Sequence, residues 1–454
     1  MKRYYLRLRA LSPLSITSHQ NVTGQVNPTL SYIPGPTLRG AIAWRWLREN
    51  PAAAQTPGFQ RLFDREELRC GPLYPLAAPA REAGIGYRAD LSLPLPFTAR
   101  TCKLEPGFRR AALRNERGHG VVDTLVDALE EVATRRLRLA KETPPDEWRG
   151  LARHERCGQA GCKAAMDRFS GYYVFGEARG QPWFRQVRPA LRLISRTAIL
   201  DELESAQPAA LFSRQAVEAG QEFAGFLDVT SEAEADLQQL LSSSTDLYIG
   251  AGRTAGLGQM EVIEIDSDWG VLTKLLGPVI DRQQAFEAQL SASLRQRWTL
   301  VPLTLLSDTI LLDSRLRHVS APEPDVLRHY AALEGQIQVG LQGVETGDNE
   351  GNGAATPVNQ PVPTWPLGTE LFLTIAKTKR ISGWNTAPDS DRPRSDDWAV
   401  AAGSVFVLAA PANQANALLQ ACAWLEENGL GERRAEGFGQ VIVAHPFHTE
   451  VAPS

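Results

Sequence analysis

Cys157 and Cys162, in CGQAGC, have four residues between them, two of which are glycine. A tight knuckle of this kind can bring two thiolates onto one zinc ion, which prefers tetrahedral sulfur and nitrogen ligands. Cys102 is the candidate third ligand and His119 the candidate fourth, with His154 and Cys70 as substitutes; free thiols are the competing reading. Zinc here would be structural, because nothing near the cysteines suggests an activated water, and it would let a charged segment with little core stay folded. Cys422 reads as helix core. General base catalysis with a cation to stabilise developing negative charge needs a histidine beside a Lys or Arg. His19 is the best-placed base, with Arg39 close in sequence, but a single loop histidine is more often solvated or a ligand contact. No catalytic residue is therefore assigned beyond His19 as a weak candidate, and His318 in RLRHVSAP is weaker. HExxH, GxSxG and paired-aspartate metal signatures are all missing from the sequence.

Two glycine-rich stretches, GAGRTAGLGQ from Gly250 and GLGERRAEGFGQ from Gly429, raise a different chemistry. Each precedes a strand-like run, whereas a dinucleotide fingerprint opens a helix, and neither ends in the Gly-Lys-Ser/Thr of a phosphate loop. No nucleotide cofactor is expected. Glycines such as Gly256, Gly258, Gly437 and Gly439 permit positive φ and close backbone approach. With Arg253 in one loop and Arg433 and Arg434 in the other, exposed N–H groups and guanidinium groups would suit a phosphodiester chain. A tight turn packed on its own helix is the plainer alternative.

The elements that must position these residues begin with an alternating strand. Tyr4, Leu6, Leu8 and Ala10 share one face; Tyr5, Arg7, Arg9 and Leu11 share the other. A polar loop then leads to YIPGPTLRGAIAWRWLREN, where Thr37 is a plausible N-cap and Leu38, Ile42 and Trp46 fall on one helical face. That would put Arg39 and Gly40 in the first turn, close to Gly35. Residues 1–48 carry seven Lys or Arg and no Asp or Glu, although the whole chain has a net charge of −4. Such a patch attracts phosphates locally, since salt screens charges beyond about 10 Å. Tyr5, Trp44 and Trp384 are candidates for stacking bases, with burial the commoner fate of such aromatics.

Residues 100–175 read as an insertion carrying the helix VVDTLVDALEEVATRRLRLA, followed by strands in RPALRLISRTAIL and GQEFAGFLDV. A linker helix is expected at 276–298. The second half restarts with the strand WTLVPLTLLSDTILL and has a Gly-, Asn- and Pro-rich loop at 343–363. The glycine stretches suggest an internal repeat: Gly250-Ala251-Gly252, three residues, Gly256-Leu257-Gly258, against Gly429-Leu430-Gly431, five residues, Gly437-Phe438-Gly439. Two α+β domains in tandem follow, at 1–275 and 299–454. The chain has 454 residues, 43% of them hydrophobic, and no apolar run long enough to span a membrane, so a cytoplasmic protein is expected.

A first strand, YIPGPTLRGAIA and a terminal glycine loop together resemble the RAMP superfamily of CRISPR-associated proteins. TCKL, HGVVDTLVDAL, CGQAGC, TLLSDTILLD, SGWN and AAGSVFVL are similar to the Csx-ten (Cas-five-like) family of type III-D effector complexes. The resemblance implies two tandem ferredoxin-like (RRM-like) domains with a Cys-containing insertion in the first. It also implies an RNA-binding structural subunit of a type III CRISPR effector ribonucleoprotein, holding the 5′ tag of the CRISPR RNA. Its partners would be the CRISPR RNA, the large Cas-ten-type subunit and the backbone RAMP subunits, with target RNA met only indirectly. Some RAMP proteins process precursor RNA, so a metal-independent endoribonuclease is the alternative.

Overall fold

The N-terminal alternation is realised in β1 (Lys2–Ala10): Tyr4, Leu6, Leu8 and Ala10 are at most 3% exposed. Fully burying side chains such as Leu6 and Leu8 stabilises the fold by about 1.5–3 kcal/mol each. Tyr5, on the other face, is buried beside Phe226. The computed structural model describes residues 1–17, 26–77, 91–109, 118–148, 150–178, 181–200, 205–242, 246–267, 277–345, 362–382 and 396–450. His19, Trp384 and most of the Gly- and Pro-rich loop at 343–363 lie outside the described residues.

After β1 come α1 (Gly35–Glu49), β2 (Leu68–Cys70), β3 (Ala99–Cys102), β4 (Val121–Asp123), α2 (Leu125–Leu139) and β5 (Met166–Arg168). The chain continues through β6 (Glu222–Val229), α3 (Glu234–Ser242), β7 (Asp246–Tyr248), β8 (Gln259–Asp266) and α4 (Val279–Gln289). Then follow β9 (Thr299–Leu305), α5 (Pro324–Glu345), β10 (Glu370–Ile375), β11 (Val405–Ala410), α6 (Ala415–Asn428) and β12 (Val441–Val443). Helix α1 begins three residues earlier than a Thr37 cap would place it. Pro34 occupies the cap position, no side chain caps the turn, and Pro36 sits within it. Proline lacks an N–H and is fixed near helical φ, so it suits a first turn. Arg39 and Gly40 consequently fall in the second turn.

The chain divides into two units: residues 1–93, 171–271 and 435–437, and residues 94–170, 272–434 and 438–454. In the first, an antiparallel sheet runs β7-β8-β1-β6-β2. Leu38 and Ile42 of α1 and Leu237, Leu240 and Leu241 of α3 pack with the buried face of β1 in one core. In the second, the antiparallel order is β10-β11-β9-β12. Every residue of β11 is buried, so both faces of the sheet centre are covered. Segment 94–170 groups with this unit because Leu125, Leu129 and Ala133 of α2 belong to its core. The fold is thus mixed α+β with antiparallel sheets. No helix among the described residues is long and apolar enough to cross a membrane.

Candidate metal centre and nucleic-acid interface

Cys102 ends β3, the middle strand of a small antiparallel sheet in the order β4-β3-β5. His119 precedes β4, and Cys157 and Cys162 precede β5. The Gln159 carbonyl accepts from the Cys162 N–H at 2.9 Å, and Gly161 has φ +79°, the left-handed conformation that lets CGQAGC double back. The knuckle therefore returns both thiols to the end of β3. One ligand atom from each of Cys102, His119, Cys157 and Cys162 lies within 4.8 Å of the other three, so this cluster could hold a metal ion. The Cys102 and Cys162 sulfurs are 3.7 Å apart, and Cys157 Sγ is 3.5 Å from His119 Nδ1.

Burial raises the Cys102 thiol, but backbone N–H groups of Glu105 and Leu104, with His119 and Cys162 alongside, outweigh it and lower the pKa to about 7. Burial raises Cys157, and the neighbouring thiols add to that. The substitute ligands are occupied elsewhere. His154 Nε2 lies 3.1 Å from Asp127 Oδ2, and Cys70 is buried in β2. Cys422 is buried in α6.

The glycine loops share one frame. Ile249 N–H donates to Gly258 O at 2.8 Å, and Leu430 N–H donates to Gly439 O at 2.8 Å. Ala251 N–H bonds Ser15 O and Glu432 N–H bonds Ile310 O; Gln259 N–H bonds Ser12 Oγ and Gln440 N–H bonds Ser307 Oγ. These pairs match Gly250 with Gly431, not with Gly429, and the two loops then have equal length. Arg433, at φ 56°, takes the place of Gly252 at φ 79°. Arg253 corresponds to Arg434, and each opens a 3₁₀ turn. Gly437, like its counterpart Gly256, has positive φ.

The arginines proposed from the sequence divide sharply by partner. Arg7 and Arg9 bond Glu222 at 2.5 and 2.8 Å, with Glu264 and Glu261 further off at 3.8 Å. Burial raises Glu222, but the hydrogen bonds from Arg7 and Arg9 outweigh it and lower its pKa. Arg433 pairs with Asp397 at 2.8 Å, where His318 also lies 3.9 Å away, and Arg434 pairs with Glu334. Arg39 donates to Phe63 O at 2.6 Å, and its guanidinium carbon lies 5.3 Å from the Phe63 ring centroid. Gly35 is a close-packing site, since a Cβ there would fall 2.1 Å from Cys70 O; Gly40 is exposed and unobstructed. Arg253 is exposed, with Trp44 beneath it and no ion pair among the described residues. Arg45, one of the seven N-terminal cations, is 1% exposed and faces Glu49.

Thr304 Oγ1, His448 and Asp123 form a chain with links of 3.0 and 2.7 Å that has the spacing of a nucleophilic triad. Thr304 is 0% exposed on central strand β9, so no substrate reaches it, and the chain instead ties β4 to β9.

A model of the RAMP superfamily matches residues 7–261, more than half of the chain, and the chain belongs to that superfamily. The curated proteins contain no match. Among solved structures, a chain of the type III-B Cmr-beta complex bound to cognate target RNA and AMPPnP is 11% identical. That alignment covers 89% of this chain and 86% of the other, with a TM-score of 0.34. A Cas6 substrate mimic complex is 13% identical over 50% of this chain and 80% of that one, with a TM-score of 0.27. Cmr4 is 12% identical over 59% and 99%, with a TM-score of 0.23. Likenesses this slight carry no argument about role.

Proposed function

We propose that the chain is an RNA-binding structural subunit of a type III CRISPR effector ribonucleoprotein, of the Csx-ten type. The carrying observation is the glycine loop at 249–258, which lies in the superfamily-matched span and presents Arg253 to solvent. Each unit is read as a ferredoxin-like domain. Taking the four strands in chain order, β1, β2, β6 and β8 lie side by side as fourth-first-third-second, and β9, β10, β11 and β12 repeat that arrangement. The sequence motifs of the family suggest the 5′ tag of the CRISPR RNA as its ligand, and the large Cas-ten-type subunit and backbone subunits as its neighbours. Binding without cleavage is the proposed role.

The Cys₃His cluster is proposed to hold a structural zinc ion. Zn–S bonds of about 2.3 Å and Zn–N bonds of about 2.1 Å set tetrahedral S–S edges of about 3.8 Å and S–N edges of about 3.6 Å. The separations of 3.7 and 3.5 Å fit those edges.

End-labelled CRISPR repeat RNA incubated with the full chain in EDTA is expected to shift on a native gel and to remain uncut on a denaturing one. A specific product that disappears in His19→Ala would make the chain a processing nuclease and overturn the binding role.

A further inference from the structure

We infer that Arg48 and Arg253, held over Trp44, form a phosphate clamp for single-stranded RNA, and that only the first of the two glycine loops carries one. This inference rests on the RNA-binding reading and assigns it to particular residues. Trp44 and Arg48 are one helical turn apart on the exposed side of α1, where i and i+4 side chains meet. The guanidinium carbons of Arg48 and Arg253 lie 5.0 and 4.9 Å from the Trp44 ring centroid. Tyr248, at the end of β7, meets Trp44 edge-on at 6.0 Å and lies 5.6 Å from Arg48. Trp44 itself remains 38% exposed.

Two cations gathered by aromatic rings differ physically from two cations gathered by carboxylates. A cation over a ring is attracted by the ring's quadrupole and keeps its net charge. Its N–H donors also stay available for phosphate oxygens, which a guanidinium can grip bidentately. Neither Arg48 nor Arg253 has a carboxylate partner among the ion pairs of the described residues, whereas Arg7, Arg9, Arg433 and Arg434 all do. In the second loop the residue matching Arg253 is Arg434, neutralised by Glu334. The duplicated frame has thus diverged, with one copy closed by ion pairs and one left electropositive. Glu49, beside Arg48 in sequence, faces Arg45.

The test is fluorescence anisotropy of the full chain with labelled single-stranded repeat RNA across a salt series. Arg48→Gln/Arg253→Gln is compared with the wild type and with Arg135→Gln/Arg297→Gln, a charge-matched control on surface ion pairs of the second unit. The clamp variant is expected to bind about tenfold or more weakly. Its log–log salt slope is expected to be shallower by about 1.4, the share of two single-strand phosphate contacts. The control is expected to keep the wild-type slope. Unchanged affinity and slope in the clamp variant, or an equal loss in the control, would overturn the clamp while leaving RNA binding intact. If the wild type binds no RNA, the RNA-binding reading fails and takes the clamp with it.

Discussion

Serine at Cys102 or Cys162 is expected to abolish zinc binding at the proposed site and to open residues 94–170 to protease, with the first unit still folded. The expectation follows from how little else holds that end of the segment. Its sheet consists of three strands of three or four residues, β3, β4 and β5, too short to be stable alone. The segment's anchor in the second unit's core is α2, through Leu125, Leu129 and Ala133. A zinc ion held by the cluster would cross-link the loops carrying His119 and the CGQAGC knuckle. Structural zinc contributes about 10–16 kcal/mol of apparent binding free energy in small peptides, and that binding energy is folding energy. The wild type should purify with about one zinc per chain. A chelator should lower its melting temperature by several degrees, and a reductant alone should not. The last arm separates zinc from a disulfide, which needs sulfurs about 2.05 Å apart, not the 3.7 Å between Cys102 and Cys162. A metal-free wild type with an unaltered melt and an uncut segment would dismiss the zinc centre.

The Cys102, His119, Cys157 and Cys162 cluster was legible because a knuckle spacing and a nearby histidine are local signals. CGQAGC nominates its own turn, and Cys102 and His119 flank strands that bring them to it. The fate of the arginines was not legible in the same way. Whether Arg9 or Arg253 is open to a ligand depends on carboxylates far away in sequence. Glu222 reaches Arg7 and Arg9 only because β6 pairs with β1 and sets Arg9 opposite Glu222. A run of seven cations without an acid reads as a basic patch, yet Arg3, Arg7 and Arg9 meet carboxylates across the sheet, and one member, Arg45, is buried. The repeat was legible in outline and misaligned in detail. Glycine letters pair Gly250 with Gly429, but hydrogen bonds pair it with Gly431, because Arg433 adopts the positive φ that glycine supplies at 252. Conformation, not residue type, was the repeated quantity.

Alanine at Gly258 or Gly439 is expected to destabilise its unit by about 3 kcal/mol or more, among the larger effects of a single substitution. Alanine at Gly256 is expected to cost only about 1–2 kcal/mol. All three glycines have φ between +78° and +82°, so left-handed strain is common to them and cannot distinguish them. Space does. An added Cβ would lie 2.0 Å from Ile249 O at Gly258 and 1.9 Å from Leu430 O at Gly439, while at Gly256 it meets nothing within 4 Å. Those carbonyls belong to residues whose N–H groups close the loop necks, so relief of the clash must lengthen the bond that defines the frame. Urea midpoints measured for each variant check the ordering. Equal losses at Gly256 and Gly258 would mean that the necks yield freely and that φ alone sets the cost. A larger loss at the neck positions would mean that close backbone approach, beyond φ, sets the cost in both loops. Arg253 then stands on a rigid base, and its clamp partners on α1 can be altered without disturbing that base.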